Sequence, residues 1–339
     1  MIALPDIKDI LSNNDPVFLE GLARRSQKIT RQYFGRAVSL YAPLYLSNYC
    51  SSHCTYCGFQ SKNRIARIRL TPPQMHAEMK AVADTGIESI LLLTGESYKA
   101  TPLAYLKETT VIAKQYFTNI SMEVHPMETQ EYRELFLSGV DGITVYQETY
   151  ARDRYKEVHL SGKKSDYDYR RDTPQRAARA GMRTISMGIL LGLSDAARDL
   201  LSLYEHLRWM EKHFPGVEYS LSFPRLRKIK GRAFAICNVG DLDLIKILCL
   251  TRILFPRVGL NLSTREAPAL RNHALEFGIT RISAGSNTSV GGYHLKTAEE
   301  QEPQFDIEDQ RSVERIVRYL KAKDFDPVFT DWRAIENSV

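Results

Sequence analysis

The chain has 339 residues, 43% of them hydrophobic, enough to bury the core of one large α/β domain. Its 46 basic and 40 acidic side chains leave a formal charge of +6, with no run of five like charges and no aromatic–basic repeat, which argues against a nucleic-acid partner. No stretch approaches the ~20 apolar residues that span a bilayer, and the start "MIALPDIKDILSNNDP" lacks the basic head and apolar run of a secretory leader, so no membrane association and a cytoplasmic location with reduced thiols are expected.

Residues 1–36 read as helical. An apolar strand follows at 38–46, then a helix over 71–86 that Thr71, Pro72 and Gln74 start and Gly86 stops. Strands over 88–96, 119–126 and 141–149 alternate with helices over 102–117 and 128–138. A helix over 173–180, ended by Gly181, precedes a strand at 183–193. Helix 195–213, strand 217–225, helix 241–255, strand 259–266, helix 267–276, strand 279–286 and helix 308–323 complete the series. Eight strand–helix units predict a closed parallel (βα)8 barrel of the TIM type over 37–325, with 1–36 as an N-terminal helical cap and 326–339 as a C-terminal tail.

Chemistry in such barrels sits on the loops leaving the C-terminal ends of the strands. The loop after the first strand, "YLSNYCSSHCTYCGF", carries Cys50, Cys54 and Cys57, three of the five cysteines. An odd count with three clustered is not a disulfide framework. Structural zinc and a conventional cubane each take four protein ligands. Three thiolates instead leave one iron of a [4Fe-4S] cluster open to a substrate or cofactor. Cys249, in "LIKILCLTRILF", reads as a core residue. The other loops place "TGE" (94–96), Glu123 and His125, "YQE" (146–148), "SFPR", "STRE" and "ISAGSNT" on the same rim.

A three-cysteine loop after the first barrel strand, with an aromatic before the last cysteine, resembles the radical S-adenosylmethionine (SAM) superfamily. Within it, "PLYLSNYCSSHCTYCGF", "LLLTGE", "MEVHP", "VYQETY", "HLSGKKSDY", "SFPRLR" and "LSTRE" resemble the tyrosine lyases of bacterial thiamine synthesis, from about residue 20 to about residue 335. The resemblance implies a cluster held by Cys50, Cys54 and Cys57, whose open iron binds the methionine part of SAM and whose electron cleaves SAM to methionine and a 5′-deoxyadenosyl radical. It places Tyr56 near the adenine, Gly95 and Glu96 at the methionine ammonium, Glu148 and Arg170 at the ribose and carboxylate, and Glu123 near the ribose. For the substrate it implies that Arg265 grips the carboxylate of L-tyrosine, helped by Ser263 on the same side of a strand and by Ser283. Tyr45 orients the amino group, and Tyr45 and Arg265 are the catalytic candidates.

The implied reaction removes a hydrogen from the tyrosine amino group and breaks Cα–Cβ, giving 2-iminoacetate (dehydroglycine) and p-cresol. Thiazole synthase is then the expected recipient of the 2-iminoacetate, and flavodoxin or ferredoxin the electron donor. The segment 289–293, "SVGGY", is expected to form a lid on its glycines. Arg225 and Arg227 are rim arginines without an assigned role. A hydrogenase-maturation tyrosine lyase carries further cysteines in a C-terminal extension, and none follows Cys249 here. A tryptophan lyase shares the amino-acid grip. A non-catalytic iron–sulfur scaffold would need no Glu96, Arg170 or Arg265.

Overall fold

Strand alternation decides what lines the barrel. In β3 (Ser89–Thr94), Ile90 and Leu92 are fully buried on the helix side, whereas Leu91 and Leu93 face a central cavity. The same two-residue rule operates in β1 (Ala37–Ser47), where Leu40 and Leu44 pack outward and Tyr41 and Tyr45 point inward. The hydrophobic core is therefore the layer between sheet and helices. The computed structural model describes residues 3–226, 237–295 and 304–330.

The parallel ladder runs β1, β3, β4 (Asn119–Glu123), β5 (Gly142–Glu148), β7 (Thr184–Ile189), β8 (Glu218–Ser222), β9 (Gly259–Leu262) and β10 (Arg281–Ser283). It closes where Ser39–Tyr41 pair with Arg281–Ser283. The connecting helices are α3 (Pro72–Ala83), α4 (Leu103–Ala113), α5 (Thr129–Ser138), α8 (Thr173–Ala180), α9 (Ala196–His213), α10 (Asp241–Leu254), α11 (Pro268–Glu276) and α12 (Val313–Ala322). Each predicted strand and helix is present; β1 extends one residue beyond its predicted ends, and most other predicted ends overrun by one to several residues. Thr71 N donates to Gln74 Oε1 at 2.9 Å in the expected capping box, and Gly181 takes the left-handed conformation that stops α8. Two helices, α1 (Leu4–Ser12) and α2 (Pro16–Phe34), form the N-terminal unit. They pack on α9 and α10, and buried Lys246 pins them through the Leu11 carbonyl and Asn14 Oδ1, each at 2.7 Å. No described helix is long and apolar enough to cross a membrane.

Four expectations change. The chain from residue 326 begins as a strand, β11 (Asp326–Val328), which pairs with Ala37–Ser39 of β1. The strand predicted over 259–266 stops at Leu262, because Thr264 N turns aside to Ser283 Oγ and Arg265 N to Ser263 Oγ. The lid expected at 289–293 is anchored instead. Val290 is fully buried, Tyr293 donates its hydroxyl to the Pro43 carbonyl at 2.6 Å, and the Glu78 carboxylate accepts from the backbone of Tyr293, His294 and Leu295 at 2.8 Å each. Short segments absent from the strand reading also appear: β2 (His53–Cys54) pairs antiparallel with β6 (His159–Ser161), and α6 (Arg152–Val158) and α7 (Tyr167–Arg171) precede α8. Arg227 lies outside the described residues.

Candidate active site

The cysteine loop is a built object before any ligand is considered. Arg67 spans it from inside, donating to the carbonyls of Asn48, Phe59 and Gln60 at 2.6–2.7 Å and of Asn63 at 3.2 Å. A planar guanidinium with five N–H donors suits this task, and an ammonium does not. The β2–β6 pairing fastens the middle of the loop, and Thr55 N donates to the Val158 carbonyl at 2.9 Å. On the other side, Ser51 donates from N and Oγ to the Glu96 carbonyl, both at 2.8 Å. Gly95 is required there by space alone: a Cβ would collide with the Tyr49 carbonyl and lie 3.1 Å from Cys50 Cβ. Gly162, at φ +88°, is pressed in the same way against Ser52.

Burial pushes the Cys50 thiol up to about 11, with the Glu96 and Cys57 charges adding to it. It also raises Cys54 and Cys57, against the attraction of Lys164. Iron would remove those protons outright if it bound these thiols. Among the described residues no three His, Cys, Asp or Glu gather closely enough to hold a single metal ion. A cubane makes no such demand, since each thiolate binds its own iron. Cys249 is buried in the core as expected, and Cys237 is exposed.

Four charged groups meet beside this loop. Arg170 in α7 donates from Nη1 to Glu96 Oε1 at 2.5 Å and from Nε to the Tyr146 carbonyl at 2.7 Å. Lys164 Nζ lies 2.7 Å from Glu148 Oε1 and 4.0 Å from Glu96 Oε1. Glu148 reaches inward because its backbone is left-handed, φ 70°, at a register shift between β5 and β7. Burial opposes its ionisation, but Lys164 and Arg170 outweigh burial and hold its carboxyl below the usual range. The second Glu96 oxygen, Oε2, is buried without a hydrogen-bonding partner among the described residues. An unmatched carboxylate oxygen at this place fits an ammonium, as a bound amino-acid cofactor would supply.

Beyond lies a cavity of about 720 Å³, within the range that holds a small molecule. Tyr56, Cys57, Glu148, Lys164, Ser263, Arg265, Ser283, Phe305, Tyr45 and Glu123 are among the residues that line it. Gly95, Glu96, Arg170, Cys50 and Cys54 stand outside that lining. Tyr56 donates its hydroxyl to His159 Nε2 at 2.7 Å, which leaves Nδ1–H of a neutral imidazole to donate to the Tyr155 carbonyl at 2.8 Å. Burial, then Lys164, drops the His159 pKa to about 3, in keeping with that tautomer.

Tyr45 donates to Gln304 Oε1 at 2.7 Å and meets Phe59 edge-on. Burial, reinforced by Glu148, raises the Glu123 carboxyl to about 7. The Arg265 guanidinium lies 3.4 Å from the Phe305 ring centre. Ser263 and Arg265 thus reach the cavity through a turn rather than through strand alternation. Ser283 is fixed from behind, its carbonyl accepting from Arg271 Nη2 at 2.5 Å, and Arg271 pairs with buried Asp309. Arg225 bonds the buried Glu266 carboxylate and lies 2.8 Å from Asp241, so it anchors the "STRE" loop. The His125 and Tyr98 ring centres lie 3.9 Å apart with the planes tilted by 42°, and burial lowers the His125 pKa to about 4.

Sequence reasoning missed Arg67, Lys164, His159, Gln304 and Phe305 as parts of this site. Lys164 and His159 stand in "HLSGKKSDY", a segment with a resemblance but no assigned chemistry. Nothing local distinguishes Arg67 from its neighbours.

Comparison with known proteins agrees with this geometry. Residues 44–207 match the Radical SAM superfamily, and residues 222–326 the Biotin and Thiamin Synthesis associated domain. The chain is 41% identical to a 2-iminoacetate synthase of Salmonella typhimurium and 40% identical to that of Escherichia coli, each alignment covering 96% of this chain and 86% of the relative. A crystal structure of HydG, a maturase of the [FeFe]-hydrogenase, superimposes with a TM-score of 0.91 at 30% identity, over 97% of this chain and 73% of that one. Methylornithine synthase shares the fold, with a TM-score of 0.79 at 21% identity. Barrel, cysteine loop and these likenesses together make the chain a member of the radical SAM superfamily and, within it, of the 2-iminoacetate synthase family.

Proposed function

We infer that the protein is a radical SAM tyrosine lyase that cleaves Cα–Cβ of L-tyrosine to 2-iminoacetate and p-cresol, consuming SAM to 5′-deoxyadenosine and methionine. The observation that carries this reading is one cavity lined both by Tyr56 and Cys57 of the cysteine loop and by Arg265. When bound, the [4Fe-4S] cluster and SAM supply the radical chemistry. Cys50, Cys54 and Cys57 would hold the cluster. Glu96 Oε2 is the counter-group for the methionine ammonium, Arg170 shares its fork with the methionine carboxylate, and Glu148 and Glu123 face the ribose hydroxyls. Tyr56 flanks the adenine, its ring fixed by His159.

Arg265, beside Ser263 and Ser283, fits the tyrosine carboxylate, and a guanidinium fork is the geometry a carboxylate takes best. Fixing that group limits where the amino group one carbon away can lie, and Tyr45 completes its orientation. Seating the substrate inside the barrel limits the access of water to the reactive fragments and to 2-iminoacetate, which hydrolyses readily. Thiazole synthase is the recipient this product calls for, flavodoxin or ferredoxin the class of reductant, and the cytoplasm the compartment where reduced thiols persist.

The test is anaerobic reconstitution with iron and sulfide, then SAM, dithionite and tyrosine, with p-cresol and 5′-deoxyadenosine assayed together. Both products, lost together in Cys54→Ala, are expected. Deoxyadenosine without p-cresol would transfer the reading to another aromatic substrate, tryptophan first. Neither product from protein with an intact cluster would overturn it.

A further inference from the structure

Lys164 is a cation of the site to which the resemblance gives no role. Its backbone belongs to the segment stapled on the cysteine loop: its N–H donates to Ser52 Oγ at 3.3 Å, and its carbonyl accepts from the Tyr155 hydroxyl at 2.5 Å. Its ammonium is turned inward, 2.7 Å from Glu148 Oε1 and 4.0 Å from Glu96 Oε1, with the Tyr56 ring centre 5.9 Å away. Burial and Arg170 disfavour the charged ammonium, but Glu148 and Glu96 outweigh them and hold its pKa above the ordinary lysine value. Two carboxylates, Glu96 and Glu148, thus face two cations, Arg170 and Lys164, and the set is neutral. Glu123 and Arg265 line the cavity farther round.

We propose that Lys164 is a positioning residue that sets the charge beside the cofactor site, neutralising Glu148 and Glu96 and so holding the reduction potential of the cluster above the value the bare carboxylates would impose. This rests on the reading of the three cysteines as cluster ligands. Removing the ammonium leaves one uncompensated negative charge in a buried place next to the thiolates. An electron added to the cluster then meets that charge at short range and low dielectric, where screening is weak. Cluster potentials respond to nearby charge in this way. The adjacent Lys163 is a built-in control: it is exposed, with its ammonium over the Tyr98 ring at 3.9 Å.

The experiment is a redox titration of the reconstituted full chain, followed by electron paramagnetic resonance, without tyrosine or SAM. Lys164→Met is expected to move the midpoint to more negative potential, Lys164→Arg to stay near the wild type, and Lys163→Met to leave it unchanged. An unchanged midpoint in Lys164→Met, at wild-type iron and sulfide content, overturns the inference alone. If Lys164→Met does not take up the cluster, Lys164→Gln, which keeps a donor for Glu148, is titrated instead. Failure of both neutral variants to hold a cluster that Lys164→Arg holds would make the role structural and overturn the inference. A wild-type chain that takes up no cluster overturns it together with the reading on which it rests.

Discussion

Arg170 Nη1 donates to Glu96 Oε1 at 2.5 Å, while Glu96 Oε2, sealed from solvent, has no hydrogen-bonding partner among the described residues. One oxygen of the carboxylate orients the group, and the proposed ammonium donor would meet the other. A charge-assisted hydrogen bond contributes about 1.5–3 kcal/mol. Glu96→Gln keeps the size and the Arg170 contact but removes the charge. It is expected to weaken SAM binding about 10- to 100-fold, read by calorimetry on reconstituted protein, with iron content unchanged. Unchanged affinity would remove Glu96 from the ammonium site.

Gly95 makes a different demand, one of space. Its φ is ordinary, but a Cβ has no room against the Tyr49 carbonyl and Cys50 Cβ. Gly95→Ala is expected to push the cysteine loop away from the "TGE" turn, costing about 1–3 kcal/mol and lowering iron and sulfide per chain well below wild type. Gly21, in the middle of α2 with nothing within 4 Å of its Cβ position, is the contrast. Gly21→Ala is expected to be neutral or to stabilise by about 0.5–1 kcal/mol. Equal iron content in the two variants would show that the loop yields at no cost.

The barrel was legible because its signals are local. Period-two apolar strands, the Thr71–Gln74 box and the Gly181 stop each involve residues close in sequence. The cysteines were legible because three thiols on one loop need no tertiary information. What escaped is long-range or too short to show a period. β2 and β6 have two and three residues, too few for alternation, yet their pairing fastens the loop. Lys164 meets Glu148 and Glu96 only because β6 brings its segment against Ser52. Ser263 and Arg265 reached the cavity for a reason other than the one their spacing suggested: the turn after Leu262 supplies the common side.

Arg67 illustrates the cost of such long-range devices. Its two terminal nitrogens hold four carbonyls between Asn48 and Asn63, bracketing all three cysteines. Arg67→Lys retains the charge but not the fork, leaving carbonyls of the loop without donors. We expect a loss of about 2–4 kcal/mol in urea unfolding and several-fold faster loss of iron to a chelator. Wild-type iron retention in this variant would show that the β2–β6 pairing alone shapes the loop.

Glu123 gives the site a pH dependence whose sign follows from its environment. Burial, reinforced by the Glu148 charge, raises its carboxyl from 4.5 to about 7, against the attraction of Lys164, Arg170 and Arg265. Below the unfolded value both states carry the proton. Between the two values the native chain keeps a proton that the unfolded chain has released, so this group's contribution to stability falls as pH rises and levels off above the folded value. Glu123→Gln is neutral throughout and lacks that decline. The wild-type minus variant difference in unfolding free energy, measured without cofactors, is therefore expected to drop from about pH 5 to about pH 7 and then flatten. A difference that stays flat over this range and changes only below about pH 5 would mean that Lys164, Arg170 and Arg265 outweigh burial. Glu123 would then present an ionised carboxylate to the cavity at neutral pH, a hydrogen-bond acceptor for hydroxyl groups without a proton to offer them.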